Sequence, residues 1–239
     1  MKNFNFKILI LFISFCYTSK IFSQAPLTND KFSEVSAREY YMDFTTYPFS
    51  DPDPVANFSK IYPYFRYDGF TETPIQKKWK VIELENDFIK ILILPEIGGK
   101  IWTAIDKKTN QSFIYYNHTV KFRDVALRGP WTSGGIEANY GIIGHTPNCA
   151  TPVDYIISKK EDQSISCYIG VLDLLTQTQW RLEINMPKDK AYFTTQSFWY
   201  NGTSREQPYY HWMNVGLKVD RKSTRLNSSH SQQSRMPSS

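Results

Sequence analysis

The sequence contains no CxxC, no HExxH and no other spacing that gathers metal ligands, so a metal site has no support in it. Cysteine is scarce, with only Cys16, Cys149 and Cys167. Two of these fall in the main body of the chain, which is too few for a disulfide framework. One bridge in an oxidising compartment, or two separate buried thiols, would both fit. No apolar run approaches the roughly 18 residues that a spanning helix needs, so no membrane span is expected once the leader is gone. Long amphipathic helical patterns and internal repeats are missing as well. No cofactor fingerprint is present, and none is expected.

Basic charge is also scarcer than it looks. The net charge of +5 depends on Lys2, Lys7 and Lys20 at one end and Arg221, Lys222, Arg225 and Arg235 at the other. Without those seven the balance becomes −2, which argues against a nucleic-acid partner. The two ends have origins of their own. Lys2 and Lys7 precede an apolar stretch at residues 8–15, and Ser23 offers a small residue before Gln24 and Ala25. This is the pattern of a secretory signal peptide, so residues 1–24 are expected to be removed and the protein exported to the periplasm or beyond. Bulky Phe15 before Cys16 disfavours a lipid anchor. At the other end, residues 220–230 (DRKSTRLNSSH) match a translated sequencing-library adapter. Residues 220–239 are therefore expected to be a non-native, disordered tail, with the domain incomplete at its C-terminus and the natural chain continuing past Val219.

Aromatic residues are plentiful, at 16% of the chain. They suit either a Tyr/Phe-rich sandwich core or a surface that stacks sugar rings. Residues 25–77 carry Pro26, Pro48, Pro52, Pro54, Pro63 and Pro74 and read as an irregular N-terminal arm with a strand or two of its own. From residue 78 the pattern becomes closely spaced strands, at 79–85, 88–94, 100–105 and 112–116. Residues 117–152 lack periodicity and are rich in Gly, Pro and Asn, a loop too apolar for disorder. Strands resume at 153–159, 165–174, 177–186, 191–200 and 209–219. In the 177–186 strand, Thr178, Trp180, Leu182, Ile184 and Met186 share one face. Short polar turns between such strands predict an all-β, antiparallel β-sandwich over residues 78–219.

Two stretches resemble a known family. Residues 92–117 (LILPEIGGKIWTAIDKKTNQSFIYYN) are similar to the early hairpins of aldose-1-epimerase-like supersandwich domains. With residues 128–155 (RGPWTSGGIEANYGIIGHTPNCATPVDY) they resemble the domain-of-unknown-function family 5107, found in exported bacterial proteins, often ahead of tetratricopeptide repeats. The resemblance implies a galactose-mutarotase-like supersandwich that handles carbohydrate, with such repeats as a possible partner segment. It implies no established reaction. The family's general base lies late in the domain, beyond the end of this chain.

The residues able to do chemistry cluster in the aperiodic loop. Glu137, beside Ser133-Gly134-Gly135, could act as a general acid or base or accept hydrogen bonds from sugar hydroxyls. His145, in the turn Gly144-His145-Thr146-Pro147, suits proton transfer near neutral pH. These two are the candidate catalytic residues. Arg128, Trp131 and Tyr140 are candidates for a substrate platform, through forked donors and flat aromatic faces. Asp154 and His211 are further candidate substrate contacts. Glycoside hydrolysis would need two carboxylates about 5–10 Å apart, and Glu137 and Asp154 are the acidic residues in this stretch. The expectation is a carbohydrate-binding or carbohydrate-active domain with its groove in the 128–154 loop, or else a non-catalytic glycan-binding module or interaction scaffold.

Overall fold

The computed structural model describes residues 34–217, apart from 53, 57, 59–61, 126–128, 141–144, 146 and 209. The expected signal peptide and tail lie outside the described residues. The described chain is built from strands. They run β1 (Ser36–Tyr47), β2 (Ile75–Glu85), β3 (Ile89–Leu94), β4 (Lys100–Asp106), β5 (Gln111–Ser112), β6 (Val120–Lys121), β7 (Arg123–Asp124) and β8 (Pro130–Trp131). After these come β9 (Ile136–Asn139), a 3₁₀ turn at Pro147–Cys149, β10 (Asp154–Lys159), β11 (Ile165–Asp173), β12 (Thr178–Met186), β13 (Thr194–Tyr200) and β14 (Trp212–Val215).

These strands form an eight-stranded sheet in the order β14-β9-β4-β3-β2-β1-β6, with β5 also on β4, and a four-stranded sheet β10-β11-β12-β13. A small two-stranded ribbon joins β7 to β8. Neighbours are antiparallel except β1 and β6, which run parallel. Asn86 makes the β2–β3 corner: its Oδ1 accepts the Phe88 and Ile89 amides at 2.9 Å, an Asx turn. Its Nδ2 donates to the Pro187 and Lys190 carbonyls at 2.8 Å, tying that corner to the turn after β12.

The sheets stack through one apolar core. Ile82, Leu84, Ile91, Ile93 and Ile101 of the larger sheet meet Cys167, Ile169, Trp180, Leu182 and Ile184 of the smaller. Side chains alternate along a strand, so the odd-numbered apolar residues of β3 face this core. Leu92 and Leu94 face the other way, into a second cluster with Phe44, Trp79, Val81, Trp102, Val120 and Phe122. The larger sheet is thus buried on both faces. That is why β3 reads as an almost unbroken apolar run instead of alternating.

The all-β sandwich is as expected, and the strands from residue 75 onward follow the predicted pattern within a few residues at most ends. The arm holds a strand, as expected: β1, 12 residues long and paired along its length with β2. Its sequence, SAREYYMDFTTY, hides the strand's full extent because the N-terminal half is largely exposed and polar. The aperiodic loop holds the short strands β6 to β9, whose length is too small for any period to show. Conversely, 112–116 is a two-residue strand plus one isolated bridge from Ile114 to Leu217. Cys149 and Cys167 are both buried and are not bridged to each other, and burial pushes the Cys167 thiol up to about 12.

Ile169 is 1% exposed and Ile156 65%. Ile169→Ala is expected to cost about 2–5 kcal/mol, while Ile156→Ala stays within about 0.5 kcal/mol, as urea unfolding would measure. Both thiols should resist a water-soluble disulfide reagent in the folded chain and react once it is unfolded.

Candidate functional site

The site lies on the far face of the eight-stranded sheet, where β4, β9 and β14 adjoin. Ile101 of β4 belongs to the inter-sheet core, so its neighbours Lys100 and Trp102 project away from it. Ile136 and Ala138 of β9 pack on the same core, which turns Glu137 and Asn139 to the far face. Ile101 pairs with Ile136, placing Lys100 and Glu137 side by side, and Trp212 of β14 pairs with Asn139.

Glycine makes this convergence possible. At Gly98, with φ of +64°, a side chain would lie 2.4 Å from the Asn148 carbonyl oxygen. The Gly98 amide donates to the Thr151 carbonyl at 2.8 Å, which docks the Pro95–Gly99 corner on the end of the aperiodic loop. The two stretches that carried the family resemblance thereby fold onto each other.

The chemistry centres on Glu137, which is 3% exposed. Its Oε1 lies 2.9 Å from His145 Nδ1, and its Oε2 3.7 Å from Lys100 Nζ. Lys100, 2% exposed, also donates to the carbonyl and, at 3.0 Å, to the hydroxyl of Thr132. Burial pushes the Lys100 ammonium below its ordinary value of 10.5, while the Glu137 carboxylate and Cys149 pull the other way. His145 adopts φ of +52°, and its amide donates to Asn139 Oδ1 at 2.7 Å. Cys149 Sγ donates to the same oxygen at 3.3 Å. Trp131 and Trp212 meet the imidazole edge-on, with ring centroids at 5.6 and 5.0 Å.

With a carboxylate as acceptor, Nδ1 of the neutral imidazole carries the hydrogen. Nε2 is then left with the lone pair, ready to take a proton. Among the described residues, Trp131 Nε1, Glu137 Oε2, Asn139 Nδ2 and Trp212 Nε1 are buried without a hydrogen-bond partner. Trp102 Nε1 and Trp180 Nε1 share this condition elsewhere, but the four named atoms stand together around His145, and buried polar atoms are nearly always satisfied. Acidic and nitrogen ligands do not gather here into a set of three or more among the described residues, so no metal cradle is formed.

The structure joins Glu137, His145 and Trp131 and separates Tyr140, His211 and Asp154 from them. Tyr140 is 1% exposed and stacks on Trp180 at 4.1 Å and on His211 at 4.6 Å, so it is part of the core instead of a platform. His211 has both ring nitrogens engaged, by the Asn139 carbonyl and the Ser197 hydroxyl at 2.9 Å each. Asp154 opens β10 on the outer face of the smaller sheet, in a separate groove of about 450 Å³. Glu137 and Asp154 therefore cannot flank one glycosidic bond. Arg128 lies outside the described residues. Sequence reading missed Lys100, Thr132, Asn139 and Trp212. The signal for Lys100 was a lone charge in the apolar strand KIWTAI, straight after the Gly-Gly corner.

Residues 56–234 match the family described as a domain of unknown function, DUF5107. The chain belongs to that family. The match spans both the later part of the proline-rich arm and part of the expected tail. This DUF5107 chain also resembles the crystal structure of a TPR-domain containing protein from Parabacteroides distasonis ATCC 8503. The TM-score is 0.71 at 24% identity, over 78% of this chain and 33% of that one. The likeness establishes a shared fold, and this chain spans about a third of the longer protein's length.

Because folding depresses the Lys100 value, there is an interval below 10.5 where the unfolded chain holds a proton that the folded chain lacks. Lys100 therefore contributes a rise of stability with pH across that interval, set against the opposite contribution of the raised Cys167 thiol. Lys100→Met is expected to remove this slope, measurable as unfolding free energy at stepped pH. An unchanged slope would count against a buried ammonium.

Proposed function

We propose that this DUF5107 domain binds a carbohydrate on the far face of its larger sheet, between Trp131, Trp212 and the Glu137–His145 pair. The observation that carries the reading is the set of orphaned donors and the acceptor around that pair. A polyhydroxylated ring is the guest whose chemistry suits them. Each sugar hydroxyl both donates and accepts, and indole N–H groups and the Asn139 amide supply donors. The aldose-1-epimerase likeness of the corner and loop supports the same class.

In this reading, Glu137 holds the tautomer of His145. Nε2 of His145 then takes or returns a proton at a sugar hydroxyl or ring oxygen. Lys100 sets its ammonium 3.7 Å from the Glu137 carboxylate. The signal-peptide pattern of residues 1–24 supports an activity outside the cytoplasm. A second reading, a glycan-binding module without turnover, is favoured by the longer TPR-domain neighbour, of which this fold forms only a third. Tetratricopeptide repeats following this domain would then pass binding on to a partner.

Titration calorimetry of the full chain against neutral and acidic monosaccharides, with a glycan array, tests the proposal. Binding is expected, and Trp131→Ala should weaken it about tenfold through lost stacking and a lost donor. His145→Gln should abolish turnover and spare binding if the domain is an enzyme. An array with no bound glycan, or one whose binding ignores Trp131→Ala, would overturn the assignment.

A further inference from the structure

Beside the candidate site lies a smaller cavity of about 140 Å³, lined by Asn117, Thr119, Lys121, Arg123, Trp131 and Ser133. Trp131 lines this cavity and also meets His145 edge-on, with ring centroids 5.6 Å apart. The local sequence, Thr119-Val120-Lys121-Phe122-Arg123, explains the cavity's character. Val120 and Phe122 are buried in the second apolar cluster, so extended backbone sends Thr119, Lys121 and Arg123 to the opposite side. Arg123 pairs directly with Trp131 across the β7–β8 ribbon.

The cations here are positioned but only partly neutralised. Arg123 donates to the Phe122 carbonyl at 2.7 Å and packs over the Phe70 ring at 5.0 Å, while Lys121 lies over the Tyr47 ring at 4.9 Å. One carboxylate, Glu72, answers both: it lies 2.9 Å from Arg123 and 3.9 Å from Lys121, and its side chain is 72% exposed. An exposed pair of this kind contributes little and is readily exchanged for a better-placed anion. The rest of the lining is neutral and polar. Asn117 is held in place by donating to the Ser133 hydroxyl at 2.6 Å and carbonyl at 3.0 Å.

We propose that the carbohydrate ligand is acidic, its carboxylate or sulfate seated between Lys121 and Arg123 while its ring reaches past Trp131 to the Glu137–His145 pair. This rests on the carbohydrate reading and narrows it. Two donors of fixed charge around a cavity of this size suit one such group, through charge-assisted hydrogen bonds. A neutral sugar would leave both cations with Glu72 alone.

The test compares the full chain with its Lys121→Gln, Arg123→Gln and Glu72→Gln variants by titration calorimetry. The probes are D-galacturonate, D-glucuronate, galactose 6-sulfate, D-galactose and inorganic sulfate. Tighter binding of an acidic sugar than of galactose is expected, with the uronates and the sulfated sugar identifying which anion is taken. Lys121→Gln should weaken acidic-sugar binding about fivefold, and Glu72→Gln should strengthen it by removing the competing carboxylate. Glu72→Gln is informative even if Arg123→Gln disturbs the fold, because Arg123 also braces the local backbone. Equal affinity for galactose and the uronates, or indifference to Lys121→Gln and Glu72→Gln, would overturn the acidic ligand and leave carbohydrate binding standing. Inorganic sulfate binding as tightly as every sugar would reduce the cavity to a simple anion site and also overturn the proposal. No sugar binding at all would remove both readings together.

Discussion

Lys100 and Glu137 bury opposite charges side by side on neighbouring strands, and much of the site depends on how that burial is compensated. Removing a charge from water costs several kcal/mol, and attraction offsets this only when the remaining hydrogen-bonding positions are filled. Lys100 donates to the carbonyl and hydroxyl of Thr132. Glu137 fills one oxygen with His145 and leaves the other facing Lys100 at 3.7 Å, longer than a hydrogen bond. A buried pair whose two members face each other without a direct hydrogen bond serves stability poorly.

That arrangement requires a sheet covered on both faces. The inter-sheet core takes up one face of β4 and β9 through Ile101, Ile136 and Ala138, freeing the opposite face for Lys100, Glu137 and Asn139. The cover over the opposite face comes from irregular backbone. Thr132, His145 and Cys149 are brought over the sheet by the glycine corners and the 3₁₀ turn, which docks against Gly98. The strands carry Lys100 and Glu137, and the loop brings His145 over them. His145, with its left-handed backbone, sits where the loop's geometry and the site's needs meet.

The aromatic excess divides into two uses. Tyr140, Trp180 and Trp199 stack within the core alongside His211. Trp131 and Trp212 instead bracket His145 edge-on. Composition alone makes these five aromatics and His211 equivalent. Their separation follows from strand parity: Met213 of β14 packs on the inter-sheet core, so Trp212 falls on the other face.

The strands of the sandwich were legible in the residues, because alternation in 178–186 and the apolar run of β3 report burial directly. Glu137 and His145 were legible too, as reactive side chains beside Gly-Gly and Gly-His turns in an aperiodic, apolar loop. The full extent of β1 was not, since a half-exposed strand carries little periodic signal. Nor was the partnership of Lys100 with Glu137, which are far apart in the chain and meet through a single cross-strand pairing of Ile101 with Ile136. Tyr140 and Asp154 belong to the same stretch of sequence as Glu137, yet one is core and the other opens on the outer face of the smaller sheet. The sequence by itself determined which segments become strands and which residues are chemically able, because burial period and side-chain chemistry are local properties. Only the tertiary structure decided which of those residues share a face, because that depends on which strands become neighbours and in what register.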